Sequence, residues 1–417
     1  MKILEWIEKY RETHKTKIEQ VRLGDLNDWQ LENGIIKRKD NAFFTIFGIK
    51  SEDYPFEENE APIINQPEIG ILGFIVSGEK ILLHAKSEPG NMNVTQIGPS
   101  VQATESNYKA KHGGKGTNYL NLFLDEKRPK LISIRQSEQG TRFLNKYNLN
   151  AVVEVRENEI EINNKKYKWF HLEEVISELN IDFLFNTDFK SVISNLLESG
   201  ILKEKSARHS PLLDSYFKNV GENCDDIINS IQAKREKLQF SIKQIPLNEL
   251  RDWQIDDTGI IPKRNNGFGI GYFDVSMGDR EVAKWGQPLA TKTSKESIIL
   301  FATIINGEYR FIFKERMELG FKNFMQLGPT LQVEEGDKIN IPDKHVLLAA
   351  WKQSEEGGRF YQNISEYKIC LIDQVDHFQK SDQYYTLNVF QICKLLKTEG
   401  VFTNESRSLI AGLLTLI

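Results

Sequence analysis

Cysteine is scarce in this 417-residue sequence. There are three cysteines, and no two of them form a CxxC pair. An odd number without that spacing indicates neither a disulfide framework nor a zinc site. Histidine is also rare, with seven residues, and no arrangement of histidines and carboxylates has the spacing of a metal site. This cysteine usage is typical of the reducing cytoplasm.

Long apolar runs and an excess of one charge are absent as well. No segment approaches the roughly 20 apolar residues of a membrane helix, and residues 1–15 lack the apolar core of a signal peptide. The formal net charge of -5 does not indicate nucleic acid or an anionic membrane as a partner. Walker, HExxH and GxSxG motifs are missing too. The sequence therefore lacks the common motifs of P-loop nucleotide hydrolases, zinc metallopeptidases and serine hydrolases.

What the sequence does contain is an internal repeat. Three blocks occur twice in the same order: QSEQGTRF (Gln136–Phe143) and QSEEGGRF (Gln353–Phe360), QIGPSVQ (Gln96–Gln102) and QLGPTLQ (Gln326–Gln332), and DWQ from Asp28 and from Asp252. The offsets are 217, 230 and 224 residues. Because the order is kept, we interpret the chain as a tandem duplication.

Each copy has the same predicted order of elements. An amphipathic helix, at about 2–19 and 225–240, precedes a tryptophan-containing segment and then apolar runs separated by glycine-containing turns, a pattern typical of hairpins. Two helices close each copy, the last one capped by Thr187 in the first copy and by Asn404 in the second. The sequence therefore predicts the α+β class, with modules over residues 1–205 and 222–417 and a linker over 206–221.

The polar segment Gly90–Phe123 is the first candidate binding site. Its glycines and prolines exclude a continuous helix, and a long polar loop in a compact domain is usually functional or disordered. Because aromatic residues occur along it, we interpret it as a binding loop, with His112 as the histidine best placed for proton transfer. Its other candidate residues are Gln96, Gln102, Ser106, Asn107, Tyr108, Lys111 and Tyr119.

The block Gln136–Phe143 is the second candidate. Glu138 is suited to acid–base chemistry, and Arg142 is suited to bidentate binding of a phosphate or carboxylate. Because the block occurs in both copies, a shared turn or a dimer contact explains it equally well. Trp29 also has two interpretations, a packing anchor, which is the commoner role, or a stacking platform.

Several blocks together resemble a known family. AKSEPGN (Ala85–Asn91), QIGPSVQATESNY (Gln96–Tyr108), KHGG (Lys111–Gly114) and QSEQGTRF resemble the N-terminal half of the NDP-hexose 2,3-dehydratases, and QLGPTLQ, QSEEGGRFY and RSLIAGLL (Arg407–Leu414) resemble the C-terminal half. The resemblance covers nearly the whole chain. It implies two Nudix-like α/β/α modules in each subunit of a homodimer. The glutamate-rich metal-binding helix of Nudix hydrolases has no counterpart here.

The resemblance also implies a reaction. These enzymes remove water across C2 and C3 of an NDP-4-keto-6-deoxyhexose, commonly dTDP-linked, on the way to 2,6-dideoxysugars. The C4 ketone acidifies the hydrogen on C3, a base removes that proton, and the C2 hydroxyl leaves with help from an acid. No cofactor is expected, because the substrate is already oxidised. The unstable 3,4-diketone product suggests a 3-ketoreductase acting downstream.

Site roles follow from the matching blocks. The resemblance assigns proton transfer to Tyr108 and His112, and either proton transfer or bracing of the pocket to Glu138. The sugar is expected to bind to Gln102, Ser106 and Asn107, and the diphosphate to Lys86, Lys111 and Arg142. The remaining candidates for the substrate pocket are Trp29, Gln96, Tyr119, Gln136 and Ser137. No residue is expected to bind a metal.

The second copy departs from this pattern. AKSEPGN has become KERMELG, and the loop after QLGPTLQ, residues 333–345, has neither an SNY sequence nor a histidine–glycine pair. We therefore expect one competent site, in residues 1–205, and a degenerate second copy. Two alternatives stay open: a non-catalytic nucleotide-sugar-binding protein, and a keto-sugar isomerase or epimerase of the same fold.

Overall fold

A computed structural model describes most of the chain. The described residues are 1–13, 15–53, 59–105, 116–162, 165–197, 211–238, 240–263, 268–278, 282–292, 294–335, 342, 344–373, 375, 378 and 380–416. The fold combines several β-sheets with helices, so the predicted α+β class is confirmed. No helix within these ranges is long and apolar enough to cross a lipid bilayer.

The α-helices of the described residues are short and lie mostly at the ends of each half. They are α1 (Ile3–Glu12), α2 (Asn121–Leu124), α3 (Leu172–Glu178), α4 (Thr187–Ile193), α5 (Pro211–Lys218), α6 (Asp225–Lys237), α7 (Val389–Leu395) and α8 (Asn404–Leu413).

The strands of the N-terminal half are β1 (Thr16–Val21), β2 (Trp29–Glu32), β3 (Ile35–Arg38), β4 (Thr45–Lys50), β5 (Glu60–Asn65), β6 (Gly70–Ser77), β7 (Lys80–Ser87), β8 (Thr95–Gly98), β9 (Val101–Ala103), β10 (Lys130–Ser137), β11 (Tyr147–Glu154) and β12 (Tyr167–His171). Those of the C-terminal half are β13 (Lys243–Ile245), β14 (Trp253–Ile255), β15 (Gly259–Pro262), β16 (Phe268–Met277), β17 (Lys284–Lys292), β18 (Glu296–Ile305), β19 (Glu308–Met317), β20 (Met325–Gly328), β21 (Leu331–Glu334), β22 (His345–Ser354), β23 (Ile364–Ile372) and β24 (Tyr384–Leu387).

Two seven-stranded sheets have the same strand order. In the first, the order is β10-β11-β6-β7-β12, with β8 on β7 and β9 on β6. In the second, the order is β22-β23-β18-β19-β24, with β20 on β19 and β21 on β18. In each sheet one central pair is parallel, β6 with β11 and β18 with β23. The two halves therefore build matching sheets from the repeated blocks.

One face of both sheets packs into a shared core. Strand positions two apart, such as Leu72 and Phe74 in β6 and Ile298 and Leu300 in β18, point to this face and are buried. Helices α4 and α8 contact each other and are buried along their whole length in the same core. Polar residues of these two helices are therefore held in the middle of the molecule.

The two smaller sheets exchange one strand between the halves. Strand β1 pairs antiparallel with β16 of the C-terminal half, and β13 pairs antiparallel with β4 of the N-terminal half. The prediction of a helix over 2–19 was wrong beyond Glu12, because residues 16–21 gain a sheet partner that no local pattern reveals. Part of the predicted linker, Pro211–Lys218, forms α5, which packs on α7 and β19.

The closing helices are capped one residue earlier than predicted. The side chain of Asn186 accepts a hydrogen bond from the Phe189 amide, and that of Thr403 accepts one from the Ser406 amide. The prediction of Thr187 and Asn404 as caps was therefore wrong. The cap must precede the helix so that its oxygen reaches an amide of the first turn.

The contact between the halves leaves no space for a side chain at Gly90. A Cβ at this position would lie 1.4 Å from the Phe360 carbonyl oxygen and 2.9 Å from that of Gly357. We expect Gly90→Ala to destabilise the protein by about 3 kcal/mol or more, since backbone on both sides would have to move. Urea unfolding measures this, with Gly24→Ala as the control because nothing lies within 4 Å of that position. Equal stability of the two variants would contradict the packing described here.

Candidate active site

The two QSExGxRF blocks lie between the halves, and each sends its arginine into the opposite half. The Arg142 guanidinium lies over the ring of Phe268 in β16, 4.1 Å from its centroid. The Arg359 guanidinium lies over the ring of Phe44, 4.5 Å from its centroid, and its Nε donates to Gln66 Oε1 at 3.1 Å. Each block therefore reaches across the boundary between the two halves.

A cavity of about 700 Å³ lies in the C-terminal half and is called the C-terminal cavity below. The block around Gln139 and Arg142 forms one wall, and β19 and the QLGPTLQ block form the other walls. Its charged residues are Glu60, Arg142, Asp252, Lys292, Glu296, Lys314, Glu315, Arg316, Glu318, Glu334, Glu355 and Glu405. Among the described residues, no group of His, Cys, Asp or Glu side chains could hold a metal ion.

The charges of the C-terminal cavity largely pair with one another. Lys292 Nζ lies 2.9 Å from Glu296 Oε2 and 3.6 Å from Glu334 Oε1. Arg316 Nε donates to Glu318 Oε1 at 2.7 Å. These ion pairs occupy groups that a ligand would otherwise contact.

An amide joins two carboxyl groups at the back of this cavity. Gln139 Nε2 donates to Glu355 Oε2 at 2.8 Å and to Glu405 Oε1 at 2.9 Å. Burial and the neighbouring carboxylates of Glu405 and Glu296 raise the pKa of Glu355 to about 8. The amide thus holds together two acidic groups that would repel each other if both were ionised.

The strand register shows which residues occupy matching places in the two halves. Lys86 lies opposite Gln96 in the pairing of β7 with β8, and Arg316 lies opposite Gln326 in the pairing of β19 with β20. Because the two glutamines are repeat equivalents, Arg316 matches Lys86. Glu318 therefore matches Glu88, and the two copies are more alike here than the comparison of AKSEPGN with KERMELG indicated.

The N-terminal site is the corresponding region of the first half. We define it by Lys86, Glu88, Gln102, Glu138, Lys146, Asn148, Asp188, Glu356 and Arg359. Gln102 Nε2 donates to Glu88 Oε1 at 2.8 Å, and Asn186 Nδ2 donates to Gln102 Oε1 at 3.1 Å. A Cβ at Gly98 would lie 3.2 Å from both Gln102 Oε1 and Lys86 Cβ, so two of the predicted substrate-binding residues, Gln102 and Lys86, lie close together.

Glu138 is buried, with 7% of its surface exposed. Its Oε1 accepts from Asn148 Nδ2 at 2.7 Å, and its Oε2 accepts from Asn404 Nδ2 at 2.8 Å. Burial raises the pKa of this carboxyl, and the Arg407 guanidinium acts in the opposite direction. With both oxygens engaged, Glu138 is positioned to brace the site, the second of its two predicted roles.

Three predicted substrate-binding residues instead connect the halves. Gln96 Nε2 donates to Ser354 Oγ and Ser137 Oγ donates to Gln326 Oε1, each at 2.8 Å. Gln136 Nε2 donates to the Leu396 carbonyl oxygen at 3.0 Å. These buried side chains are committed to contacts within the protein.

Trp29 and Tyr119 are also engaged in packing. Trp29 is buried against Phe44, and its Nε1 donates to the Gly286 carbonyl oxygen at 2.7 Å. Tyr119 packs edge-on against Tyr167, and its hydroxyl donates to the Glu161 carbonyl oxygen at 2.9 Å. The commoner interpretation of Trp29 thus agrees with its contacts. Arg142, grouped with Lys86 from the sequence, lies in the C-terminal cavity and not beside Lys86.

Five of the predicted site residues lie outside the described residues. They are Ser106, Asn107, Tyr108, Lys111 and His112. Their flanking segments, which end at Glu105 and resume at Gly116, join the N-terminal half after β9 and before α2.

Sequence reasoning missed Glu88, Asp188, Glu356 and Arg359 as members of the N-terminal site. The signal for Glu356 was present, because it is the one carboxylate that replaces an amide, Gln139, within otherwise similar blocks. The signal for Arg359 was that both copies of the block have an arginine at this position, Arg142 in the first and Arg359 in the second. Neither signal indicated that the block reaches into the other half.

Comparison with known proteins identifies the family of this chain. The family model described as NDP-hexose 2,3-dehydratase matches residues 1–196 and 224–413. The chain belongs to the NDP-hexose 2,3-dehydratase family. As a member of this family it is a nucleotide-sugar dehydratase, so the predicted enzyme class is confirmed.

Three relatives match this dehydratase over nearly its full length, and each is named a dTDP-4-dehydro-6-deoxy-alpha-D-glucopyranose 2,3-dehydratase. The protein from Saccharopolyspora spinosa is 30% identical, over 93% of this chain and 86% of its own. Those from Streptomyces violaceoruber and Amycolatopsis orientalis are 29% and 27% identical, over 99% and 97% of this chain and 96% and 88% of their own. The similarity therefore includes both halves.

Proposed function

We propose that the substrate is dTDP-4-keto-6-deoxyglucose and that dehydration takes place in the N-terminal site. The similarity to three relatives named for this substrate, which extends across both halves, carries the proposal. The site offers cations for a diphosphate, Lys86 and Arg359, and carboxyl groups for proton transfer. Arg359 is placed there by the exchange of loops between the halves.

The chemistry requires a base, an acid and hydrogen-bond donors, all of which side chains supply. Removal of the C3 proton gives an enolate whose negative charge lies mainly on the oxygen at C4. Collapse of the enolate expels the C2 hydroxyl, which leaves as water after taking up a proton. The enol then tautomerises to the 3,4-diketone. The scheme requires no redox cofactor, because the elimination of water causes no net oxidation or reduction of the substrate.

The loop after β9 supplies the remaining groups in this proposal. Tyr108 and His112 deliver the proton to the leaving hydroxyl, and Ser106 and Asn107 bind the sugar beside Gln102. Lys111 assists Lys86 at the diphosphate.

We further propose that the two halves are a tandem duplication of a Nudix-like module. The matching strand orders of the seven-stranded sheets and the two segments matched by one family model support this. In this proposal the C-terminal cavity is degenerate as a catalytic site. Three of its carboxylates, Glu296, Glu318 and Glu334, are held in ion pairs. An amide, Gln139, occupies the position of Glu356.

The proposed assembly is a cytoplasmic homodimer whose product passes to a 3-ketoreductase. The chemical reason for this partner is the instability of a vicinal diketone, which reduction at C3 removes. A coupled assay in which the reductase gives no increase in stable 2-deoxy product would contradict the partnership.

The function is tested by mass-resolved incubation with dTDP-4-keto-6-deoxyglucose, a 3-ketoreductase and NADPH. We expect the wild-type protein to yield a reduced nucleotide sugar that has lost one water. The Tyr108→Phe/His112→Ala double variant should lose at least about 100-fold in rate, the usual lower effect of removing acid–base groups. Undiminished water loss in the variant would refute the N-terminal loop as the acid. Failure of the wild type with dTDP-, UDP-, GDP- and CDP-linked substrates would refute the reaction.

A further inference from the structure

One side chain of the C-terminal half lies in the N-terminal site and has no hydrogen-bond or ion-pair partner among the residues that the structure describes. Glu356 belongs to the second QSExGxRF block and is half-buried. A Cβ at Gly358 would lie 2.4 Å from Glu356 Oε1 and 3.8 Å from Glu88 Oε1. The two carboxyl groups therefore face the same small space, which the missing side chain of Gly358 leaves open.

Within the described parts of the chain, no donor forms a hydrogen bond or ion pair with the Glu356 carboxylate. Its surroundings explain this. The equivalent residue, Gln139, donates to Glu355 and Glu405, and their counterparts beside Glu356 are Glu138 and Asp188. An ionised carboxylate cannot donate to these groups, so Glu356 has no hydrogen bond to any described residue where Gln139 has two.

An unengaged carboxylate is a better base than a hydrogen-bonded one, because donors stabilise the charged form. The groups facing Glu356 act in both directions. Burial and the carboxylates of Glu88 and Glu138 raise its pKa to about 7, against the opposing effect of Arg359 and Lys146. A group that is half-ionised near neutral pH is suited to proton transfer there.

We propose that Glu356, supplied by the C-terminal half, is the base that removes the C3 proton in the N-terminal site. This rests on the dehydration chemistry described above. The carboxylate of Glu356 takes the proton, and the electron pair of the C3–H bond forms the enolate between C3 and C4. When the C4 carbonyl re-forms, the C2=C3 bond forms and the C2–O bond breaks. The leaving oxygen takes a proton from a separate acid, and Glu356 returns its own proton to solvent.

The same inference explains why one copy is catalytic. The C-terminal cavity has Glu318 where the N-terminal site has Glu88, and Glu355 where it has Glu138, but it has Gln139 in place of Glu356. An amide cannot accept the C3 proton. The single exchange between Glu356 and Gln139 therefore removes the base from the second copy while preserving the shape of the cavity.

The test uses two variants of Glu356 in the full chain. Glu356→Gln copies the amide of the other half and should lower kcat by about 10²- to 10⁴-fold with KM changed less than about threefold. Glu356→Ala should show a comparable loss that added formate partly restores, because a small carboxylate can occupy the vacated space. Glu334→Gln is the control, the same chemical change in the C-terminal cavity, and should retain turnover.

The readouts separate a base from a structural residue. Rescue by formate, with wild-type unfolding midpoints for Glu356→Gln, supports the proposal. A kcat for Glu356→Gln within tenfold of wild type overturns it. So does a loss that formate does not restore, since that pattern indicates packing. If wild-type protein dehydrates no tested nucleotide sugar, the reaction itself has failed, and that result is distinct from any result with the variants.

Discussion

Replacing Arg359 by alanine is expected to raise the KM for the nucleotide sugar about 10- to 100-fold, whereas Arg142→Ala should leave it unchanged. A hydrogen bond to a charged group contributes about 1.5–3 kcal/mol, and about 1.4 kcal/mol corresponds to a factor of ten. Arg359 lies over Phe44 in the N-terminal half and near Lys146 and Glu356. Steady-state kinetics with the coupled reductase measures the effect.

The two arginine variants form a matched pair. Both arginines follow a glycine-containing turn, and each stacks on a phenylalanine at a similar distance, Phe44 or Phe268. Loss of stacking should therefore cost similar stability in both, and a difference in KM reports on the substrate. A larger KM for Arg142→Ala than for Arg359→Ala would place the diphosphate in the C-terminal cavity and reverse the assignment.

The repeated blocks predicted the architecture well because they are local signals. Apolar runs separated by glycine-containing turns predicted the strands of both large sheets. The two closing helices of each copy were also predicted, although the last helices are capped by Asn186 and Thr403 and not by Thr187 and Asn404. Exchange of β1 and β13 between the halves could not be predicted, because strand pairing with a distant partner leaves no trace in a short window. For the same reason the first helix was drawn seven residues too long.

The site was harder to predict because its residues come from both halves. The sequence places Arg142 only a few residues from Glu138, which favoured a common role, but the chain turns between them and the guanidinium enters the opposite half. Gln96, Gln136 and Ser137 were chosen as polar residues of shared blocks. Their burial shows that shared polar residues also hold the two copies together. Residue type alone does not separate these roles.

Arg407 connects these structural and catalytic roles, and its loss is expected to be among the most damaging changes. The side chain is fully buried. Its Nε donates to Ser191 Oγ at 2.9 Å, its Nη1 donates to the Phe402 carbonyl oxygen at 2.7 Å, and its Nη2 donates to the Ser137 carbonyl oxygen at 2.5 Å. Arg407→Met should destabilise the protein by about 3–5 kcal/mol, since the partners of a buried charge are left unpaired.

The destabilisation should depend on pH through Glu138. Arg407 lowers the pKa of this carboxyl, against the effect of burial, which raises it above its ordinary value. A carboxyl whose folded-state pKa is raised binds more protons in the folded state, so stability falls as pH rises from the unfolded-state pKa through the folded-state pKa. Without Arg407 the folded-state pKa rises further, and this window extends to higher pH. The deficit of Arg407→Met should therefore be larger at pH 8 than at pH 5.5.

Urea unfolding of a double-mutant cycle separates the charge from the packing. Glu138→Gln removes the titrating group and keeps the size of the side chain, so Glu138→Gln/Arg407→Met should be more stable at pH 8 than Arg407→Met alone. The double variant should also lose the extra pH dependence. If the deficit of Arg407→Met is the same at both pH values, the hydrogen bonds to Ser137, Ser191 and Phe402 account for the whole effect. The cation would then have no part in setting the ionisation of Glu138, and the carboxyl groups of the N-terminal site would be controlled by burial and by one another.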